Sequence, residues 1–419
     1  MKNQSLITSA LVAAGLVSAA SAFGAATTVY LTGSTAFRAT VFTAATTGGD
    51  IFDASPAPTI LSPSPNNTSG ANNIVYHGFI NGTEYILNCA FTGSEAGIAA
   101  VAGVTVPNVT VPANYNGDGT PASPTLYNLP GAPVGFLSAP GYTTVGPNQQ
   151  PDLSMADTSQ AVSLTQTATL TDYGVVGIVP FVWAKNKNTA PDASWSDLSN
   201  VSNAELLFEL GGAKPASFFT GKSTDTDLVY VVGRNKGSGT HQNAMLASGF
   251  YPGTPVQYQI DSKYNSSGVL TLTPAATFVN GDVRATPGGD GFESGKFVAQ
   301  TMQTDGKNAT KILIGYIGIS DFTGNPGGVA LTVDGVAESD GAVANGAYSF
   351  WGHEHLLGQA TPSSDANNVA NGIGGVGGII NGLNAVLSST LVDNAQSGGL
   401  NVSVMTVDKP GGDFGYPSP

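Results

Sequence analysis

The sequence predicts an α/β protein of two domains. Short β-rich runs alternate with helical patterns along most of the chain. At 419 residues the chain is longer than one hydrophobic core usually serves. Three times a β-rich run ends in a Gly/Ser/Thr loop that opens a helix, which is the local grammar of a phosphate- or anion-seating α/β unit. No internal repeat of fixed period accompanies them.

The elements justify this in chain order. Met1-Lys2-Asn3-Gln4 carries one cation, residues 6–20 are apolar, and Ala20-Ser21-Ala22 is an A-x-A cleavage site. Residues 1–22 therefore read as a cleaved export signal, with no nearby Cys to make it a lipoprotein signal. The expected location is periplasmic or secreted. Residues 28–32 read as a strand, followed by Gly33-Ser34-Thr35 and a helix over 36–45. Residues 73–76 and 84–90 read as strands, and 95–101 as a short helix. Residues 107–151 hold nine prolines and no Lys or Arg. They read as an irregular insertion, about 105–151, serving either as surface decoration or as a recognition loop. Regular structure resumes at 168–182, whose stretch 175–182 has the pattern of a buried strand. A helix at 204–210, a strand at 227–232, a helix at 241–248 and a buried strand at 311–319 follow. Residues 373–391 are Gly-rich but interrupted by Asn381 and Asn384, and read as a helix outside any membrane.

Composition narrows the function. Charged residues make up only 10% of the chain, which suits an exported protein better than a cytoplasmic one. The net charge of −14 argues against a broad nucleic-acid face. Cys89 is the only cysteine, so no intrachain disulfide framework exists, and the residue reads as a small buried one. An acidic chain that binds an anion must do so through a local field.

Three loops can supply that field. Gly237-Ser238-Gly239-Thr240 lies between a strand and a helix. Backbone N–H groups, the positive helix start and two hydroxyls converge there, and Arg234 can add a planar fork. The alternative for this stretch is an ordinary tight turn with Arg234 on the surface. It is not a Walker loop, because G-x-x-x-x-G-K-[ST] is absent. Thr32-Gly33-Ser34-Thr35 and Thr92-Gly93-Ser94-Glu95 repeat the arrangement. Of the three arginines, Arg38 and Arg234 fall in these loops, and no other Lys or Arg precedes Lys185 after Arg38. Arg38 reads equally as a site residue and as a structural one. Asp157, in Ser154-Met155-Ala156-Asp157, is either a helix N-cap or a proton acceptor. An ionised Asp accepts a hydrogen bond from a protonated oxyanion and repels an unprotonated one, which separates phosphate from sulfate.

Assembled in this order, the motifs resemble the PstS-like branch of periplasmic solute-binding proteins, the phosphate receptors of an ABC importer. The stretch Arg234-Asn235-Lys236-Gly237-Ser238-Gly239-Thr240 and the strand Ile314-Gly315-Tyr316-Ile317 carry most of the likeness, which covers islands of 28–321 and excludes the insertion. It implies a class II type two-lobed fold with the ligand cleft at a hinge. Lobe 1 would be 27–176 plus 320–419, and lobe 2 would be 177–319. It implies capture of inorganic phosphate by Ser34, Thr35, Ser94, Asp157, Arg234, Ser238, Gly239 and Thr240. It further implies no cofactor, no catalysis, a monomer, and delivery to an inner-membrane permease. Two departures stand out. Lys236 occupies a position that many members give to an acid, and the first loop continues Ala36-Phe37-Arg38.

Other signals are weaker. His353-Glu354-His355 places two imidazoles on one strand face, but H-e-x-x-H fails at Leu357, so a metal is not expected. His241 could line the cleft or serve the helix start. Gly93-Ser94-Glu95-Ala96-Gly97 is not a nucleophile elbow. The readings carried forward beside phosphate capture are a scaffold protein of the surface or matrix that has lost its ligand, and an exported phosphate-ester hydrolase.

Overall fold

The computed structural model describes residues 26–409 apart from 48–49, 62–69, 105–149, 167, 189–190, 261–290, 293, 303–311, 325–327 and 390–398, save for short strand pairs at Thr110–Pro112 with Leu126–Asn128 and Tyr258–Ile260 with Leu272–Pro274. The export signal and most of the proline-rich insertion lie outside the described residues.

An eleven-stranded mixed sheet organises the molecule. Its strands are β1 (Thr27–Gly33), β2 (Thr59–Leu61), β3 (Asn73–Ile80), β4 (Thr83–Ala90), β5 (Leu153–Ala156), β6 (Thr171–Asn186), β7 (Lys214–Pro215), β8 (Leu228–Val232), β9 (Ile312–Gly318), β10 (Gly328–Ala330) and β11 (Trp351–Gly358). The order across the sheet is β7-β8-β9-β6-β11-β5-β1-β4-β3-β2, with β10 also paired to β6.

The 16-residue strand β6 joins two half-sheets. Its first part pairs with β11 from Thr171 to Pro180, and its second part pairs with β9 from Phe181 to Lys185. Pro180 stands at the changeover. A proline lacks the N–H that a continuous ladder needs, so it is tolerated where the strand switches partners. From Val176 onward β6 is buried on both faces, which explains why 175–182 reads as an unbroken apolar run. The strand is longer than that run because its first residues lie partly exposed at the end of the sheet.

Within one half, β1 runs parallel to both β4 and β5. In the other, β8 runs parallel to β9. Ligands of α/β sheets gather at such carboxyl ends. Here those ends lead into the loops after Gly33, Ala90 and Ala156 on one side, and after Val232 and Gly318 on the other.

The helices up to this point are α1 (Arg38–Thr46), α2 (Ser94–Ala102), α3 (Asn203–Glu209), α4 (Gly239–Ala247), α5 (Gly295–Gln300) and α6 (Ile319–Gly324), of which α1, α2, α4 and α6 follow these ends. Farther on, α7 (Ser364–Asn371) and α8 (Ile379–Ser389) pack under the first half-sheet, and α8 lies against α1. The main core includes Leu31, Phe37, Val41, Leu87, Cys89, Met155, Ile178, Trp183, Tyr316 and Trp351. A second cluster of Val182, Val232, Phe292, Phe297, Val298, Met302 and Leu313 covers the other face of the second half-sheet. Among the described residues no helix is long and apolar enough to cross a membrane.

Candidate interlobe anion site

The first loop is set by one glycine. Gly33 has φ 108°, a region that side chains avoid, and a Cβ there would lie 1.9 Å from the Met155 carbonyl oxygen. This close approach lets Ser34 N–H donate to Met155 O (2.8 Å) while Gly33 O accepts from Thr92 (3.0 Å) and Gly93 (2.7 Å). Three strand ends are thereby stitched together. The helix starts at Arg38, two residues later than the sequence pattern suggests, because 34–37 are held in this loop.

The second half contributes Arg234 and the start of α4. Arg234 is buried, and its carbonyl accepts from His241 Nδ1 (2.8 Å) and Gln257 Nε2 (3.0 Å). Its Nε donates to Phe292 O (3.3 Å), and its Nη1 donates to Thr35 Oγ1 (3.3 Å). The guanidinium therefore spans from Phe292 to the first loop. Burial lowers its pKa to about 10, partly offset by the fields of Asp321 and Asp157. Ser238 caps α4, its Oγ accepting from His241 N at 3.4 Å.

Asp157 lies between the halves. Ser94 Oγ donates to its Oδ1 at 2.5 Å, and Thr240 Oγ1 donates to its Oδ2 at 3.5 Å. Asn243 Nδ2 donates to its backbone carbonyl at 2.6 Å. It is not a helix N-cap: it directly follows β5 and is held by Ser94 on one side and by Thr240 and Asn243 on the other. Gly239 is required here, because a Cβ would lie 1.5 Å from Asp157 Oδ1 and 2.8 Å from Ser94 Cβ. The halves are also latched by backbone, Ala96 N–H donating to Gly237 O at 3.1 Å.

Of the eight candidate residues, Ser94 and Thr240 both reach Asp157, Gly239 packs close to Asp157 and Ser94, Thr35 and Arg234 form a second contact pair, and Ser238 caps the start of α4. Ser34 Oγ is fully buried and has no hydrogen-bond partner among the described residues. Sequence reasoning did not single out Asp321, Asn72, Asn243 or Glu95 as parts of this cluster. Arg38, left open between two roles, is buried, donates to Asn72 Oδ1 (2.7 Å) and pairs with Asp321 (3.7 Å). Glu95 sits directly behind Ser94, accepting from Thr158 Oγ1 (2.7 Å) and Leu164 N (2.6 Å). Its pKa is raised to about 7, chiefly by burial. Asp321 and Asn72 lie far along the chain from Arg38, and although Glu95 and Asn243 adjoin the loops, the groups they bond, Thr158, Leu164 and the Asp157 carbonyl, do not, so no local pattern marks these contacts.

His241 contacts the Arg234 carbonyl and lies 2.9 Å from Tyr316 Oη, so it buttresses the loop from behind. His353 and His355 lie on β11, beside Asp408 (3.1 Å) and Asp172 (3.7 Å) respectively. Among the described residues no group of three or more His, Cys, Asp or Glu is placed to hold a metal ion.

No family model matches the sequence. No curated protein matches it. The chain is similar to solved phosphate-binding proteins of bacteria. One, from Clostridium perfringens and assigned to phosphate ABC transport, was solved with bound phosphate; it shares 14% identity, and the match covers 90% of this chain and 99% of that chain at TM-score 0.44. A phosphate binding protein from Stenotrophomonas maltophilia shares 14% identity over 90% of this chain and 91% of that chain, at TM-score 0.40. An ABC-type phosphate transport receptor from Vibrio cholerae shares 12% identity over 60% of this chain and 80% of that chain, at TM-score 0.35.

Proposed function

We propose that the protein captures an inorganic oxyanion, phosphate first, between its two lobes and releases it unchanged to an ABC-type importer. The observation that carries this reading is the buried interlobe cluster: a guanidinium from one side, a carboxylate from the other, and hydroxyls from three loops around them. The unpartnered Ser34 hydroxyl belongs to the same loop. A buried hydroxyl left without a partner costs about 1–3 kcal/mol. An oxyanion oxygen would accept from it.

The chemistry favours a ligand that brings its own proton. Asp157 already accepts from Ser94 and Thr240, which is the arrangement of an ionised carboxylate. A further donor on the ligand would find an acceptor there, and a fully deprotonated sulfate would find repulsion. Arg234 would supply the balancing charge. In this reading the lobes are 27–176 with 320–419, and 177–319, and closure excludes water from the ligand. The protein would act outside the cytoplasm, as a monomer, and without turnover.

One observation favours a second reading. Ala96 N–H, at the start of α2, is already spent on Gly237 O, so the lobes satisfy part of the donor set by themselves. A scaffold that has lost its ligand would look like this too. Calorimetric titration of phosphate-stripped protein with phosphate, sulfate and a phosphate monoester separates the possibilities. Heat with phosphate and no product from the ester supports capture. Silence towards all three supports the bare scaffold, and ester turnover supports a hydrolase. Within the capture reading, Asp157→Asn narrows the preference for phosphate over sulfate; an unchanged ratio removes Asp157 from the role given to it.

A further inference from the structure

We propose that Glu95 is a positioning residue of this site: it straps the segment 158–164 to the start of α2 and so keeps Asp157 on Ser94. The inference rests on the capture reading above and names a residue that reading does not include.

Glu95 is the second residue of α2 and is buried. A carboxylate there suits the positive helix start. Both of its oxygens are used: Oε1 accepts from Thr158 Oγ1 at 2.7 Å, and Oε2 accepts from Leu164 N–H at 2.6 Å. The preceding residue repeats the contact. Ser94 Oγ donates to Asp157 Oδ1 at 2.5 Å and accepts from Asp157 N–H at 3.1 Å. Two consecutive residues of α2 thus grip two consecutive residues beyond β5, 94 on 157 and 95 on 158. Between Thr158 and Leu164 the chain makes a short 3-10 turn, Gln160–Val162, and returns to the same carboxylate that holds its start.

The segment also meets α4. Asn243 Nδ2 donates to Asp157 O at 2.6 Å, and Gln242 Nε2 donates to Val162 O at 2.5 Å. Those bonds join neutral amides to neutral carbonyls. The bonds to Glu95 end on a carboxyl group, and in its ionised form they are roughly twice as strong. When α4 draws back to admit or release a ligand, the segment therefore parts from α4 and stays on α2. Asp157 stays with it, its Oδ1 fixed by Ser94. The acceptor for a ligand proton is then in place before α4 brings Gly239 and Thr240 to it, and needs no ordering at the moment of binding.

Positioning and plain packing predict different readouts. A Glu95 that only stabilised the fold would, when lost, lower the melting temperature and leave the choice of anion alone. A Glu95 that places Asp157 changes that choice, because only a protonated anion uses the Asp157 carboxylate. Phosphate is titrated calorimetrically into phosphate-stripped wild type, Glu95→Ala, Glu95→Gln and Thr158→Val. Sulfate is measured by competition against phosphate, and circular dichroism reports the fold of each variant. Glu95→Ala is expected to weaken phosphate roughly tenfold and sulfate less, so the preference narrows. Glu95→Gln keeps an acceptor for Leu164 N–H and a partner for Thr158, and recovers most of the preference. Thr158→Val keeps the shape of the segment and removes one of its two bonds to Glu95, so it narrows the preference too. It carries the test if Glu95→Ala does not fold. An unchanged phosphate-to-sulfate ratio in folded Glu95→Ala or in Thr158→Val overturns the inference while the capture reading stands. A wild type silent towards phosphate removes both.

Discussion

At the scale of single residues, the site is a set of buried polar groups whose partners are almost all accounted for, and Ser34 is the exception that tests the reading. Its hydroxyl is fully buried with no partner among the described residues. If that hydroxyl serves a ligand, Ser34→Ala should leave the melting temperature unchanged or slightly raised, because no internal bond is lost. The same variant should weaken phosphate by roughly ten- to a hundredfold, the range of one hydrogen bond to a charged group. A drop in melting temperature with unchanged phosphate affinity would make Ser34 purely structural. The hydroxyls and the arginine were legible in the sequence because Gly-Ser-x-Thr loops carry their own local signature. Asp321 and Asn72 were not, because an ion pair or an amide contact between distant positions leaves no periodic trace.

At the scale of elements, two strand–loop–helix units meet face to face, and glycines make the meeting possible. The start of α4 approaches β5 and α2 so closely that only hydrogen fits at position 239. Gly239→Ala should hold the halves apart: phosphate titration should show no binding, and the melting temperature should fall. The backbone torsions of an alanine are acceptable in a helix, so the loss would come from the clash with Asp157 and not from α4 itself. Retained binding in this variant would mean that α4 and Asp157 can separate without cost. The extents of α2, α4 and β9 agree with the sequence pattern within a residue or two. β3 and β6 run longer than their apolar signals. The turn Asn81-Gly82, both at positive φ, lets β3 continue into β4 as a tight hairpin. Sheet pairing extends β6 past the end of its apolar run.

At the scale of the whole molecule, buried acids tie stability to pH. Burial raises Glu95 to about 7, Glu209 to about 9 and Glu338 to about 7. Each binds a proton more tightly when folded than when unfolded, so each favours the folded state most below its ordinary carboxylate range. That contribution declines as pH rises, from about pH 4.5 to 7 for Glu95 and Glu338 and on to about 9 for Glu209. Urea melts across this range should show stability falling toward neutral pH, and Glu95→Gln should flatten the part below pH 7. A Glu95→Gln profile that overlays the wild type would mean that Glu95 titrates normally. The amide can still accept from Leu164 N–H and face the Thr158 hydroxyl, so the substitution removes the charge without orphaning its neighbours. Against a net charge of −14, Arg38 and Arg234 are both buried, and Arg234 reaches Thr35 of the first loop.

The sequence alone determined the α/β alternation, the three Gly/Ser/Thr loops that precede helices and the donors that each could offer, because hydrophobic period and glycine-bearing turns are local properties. Only the tertiary structure decided that these loops face one another, that Asp157 is held by both Ser94 and Thr240, and that Asp321 pairs with Arg38. Those relations follow from strand order and from the change of partner along β6, which bring together residues far apart in the chain and which no local pattern encodes.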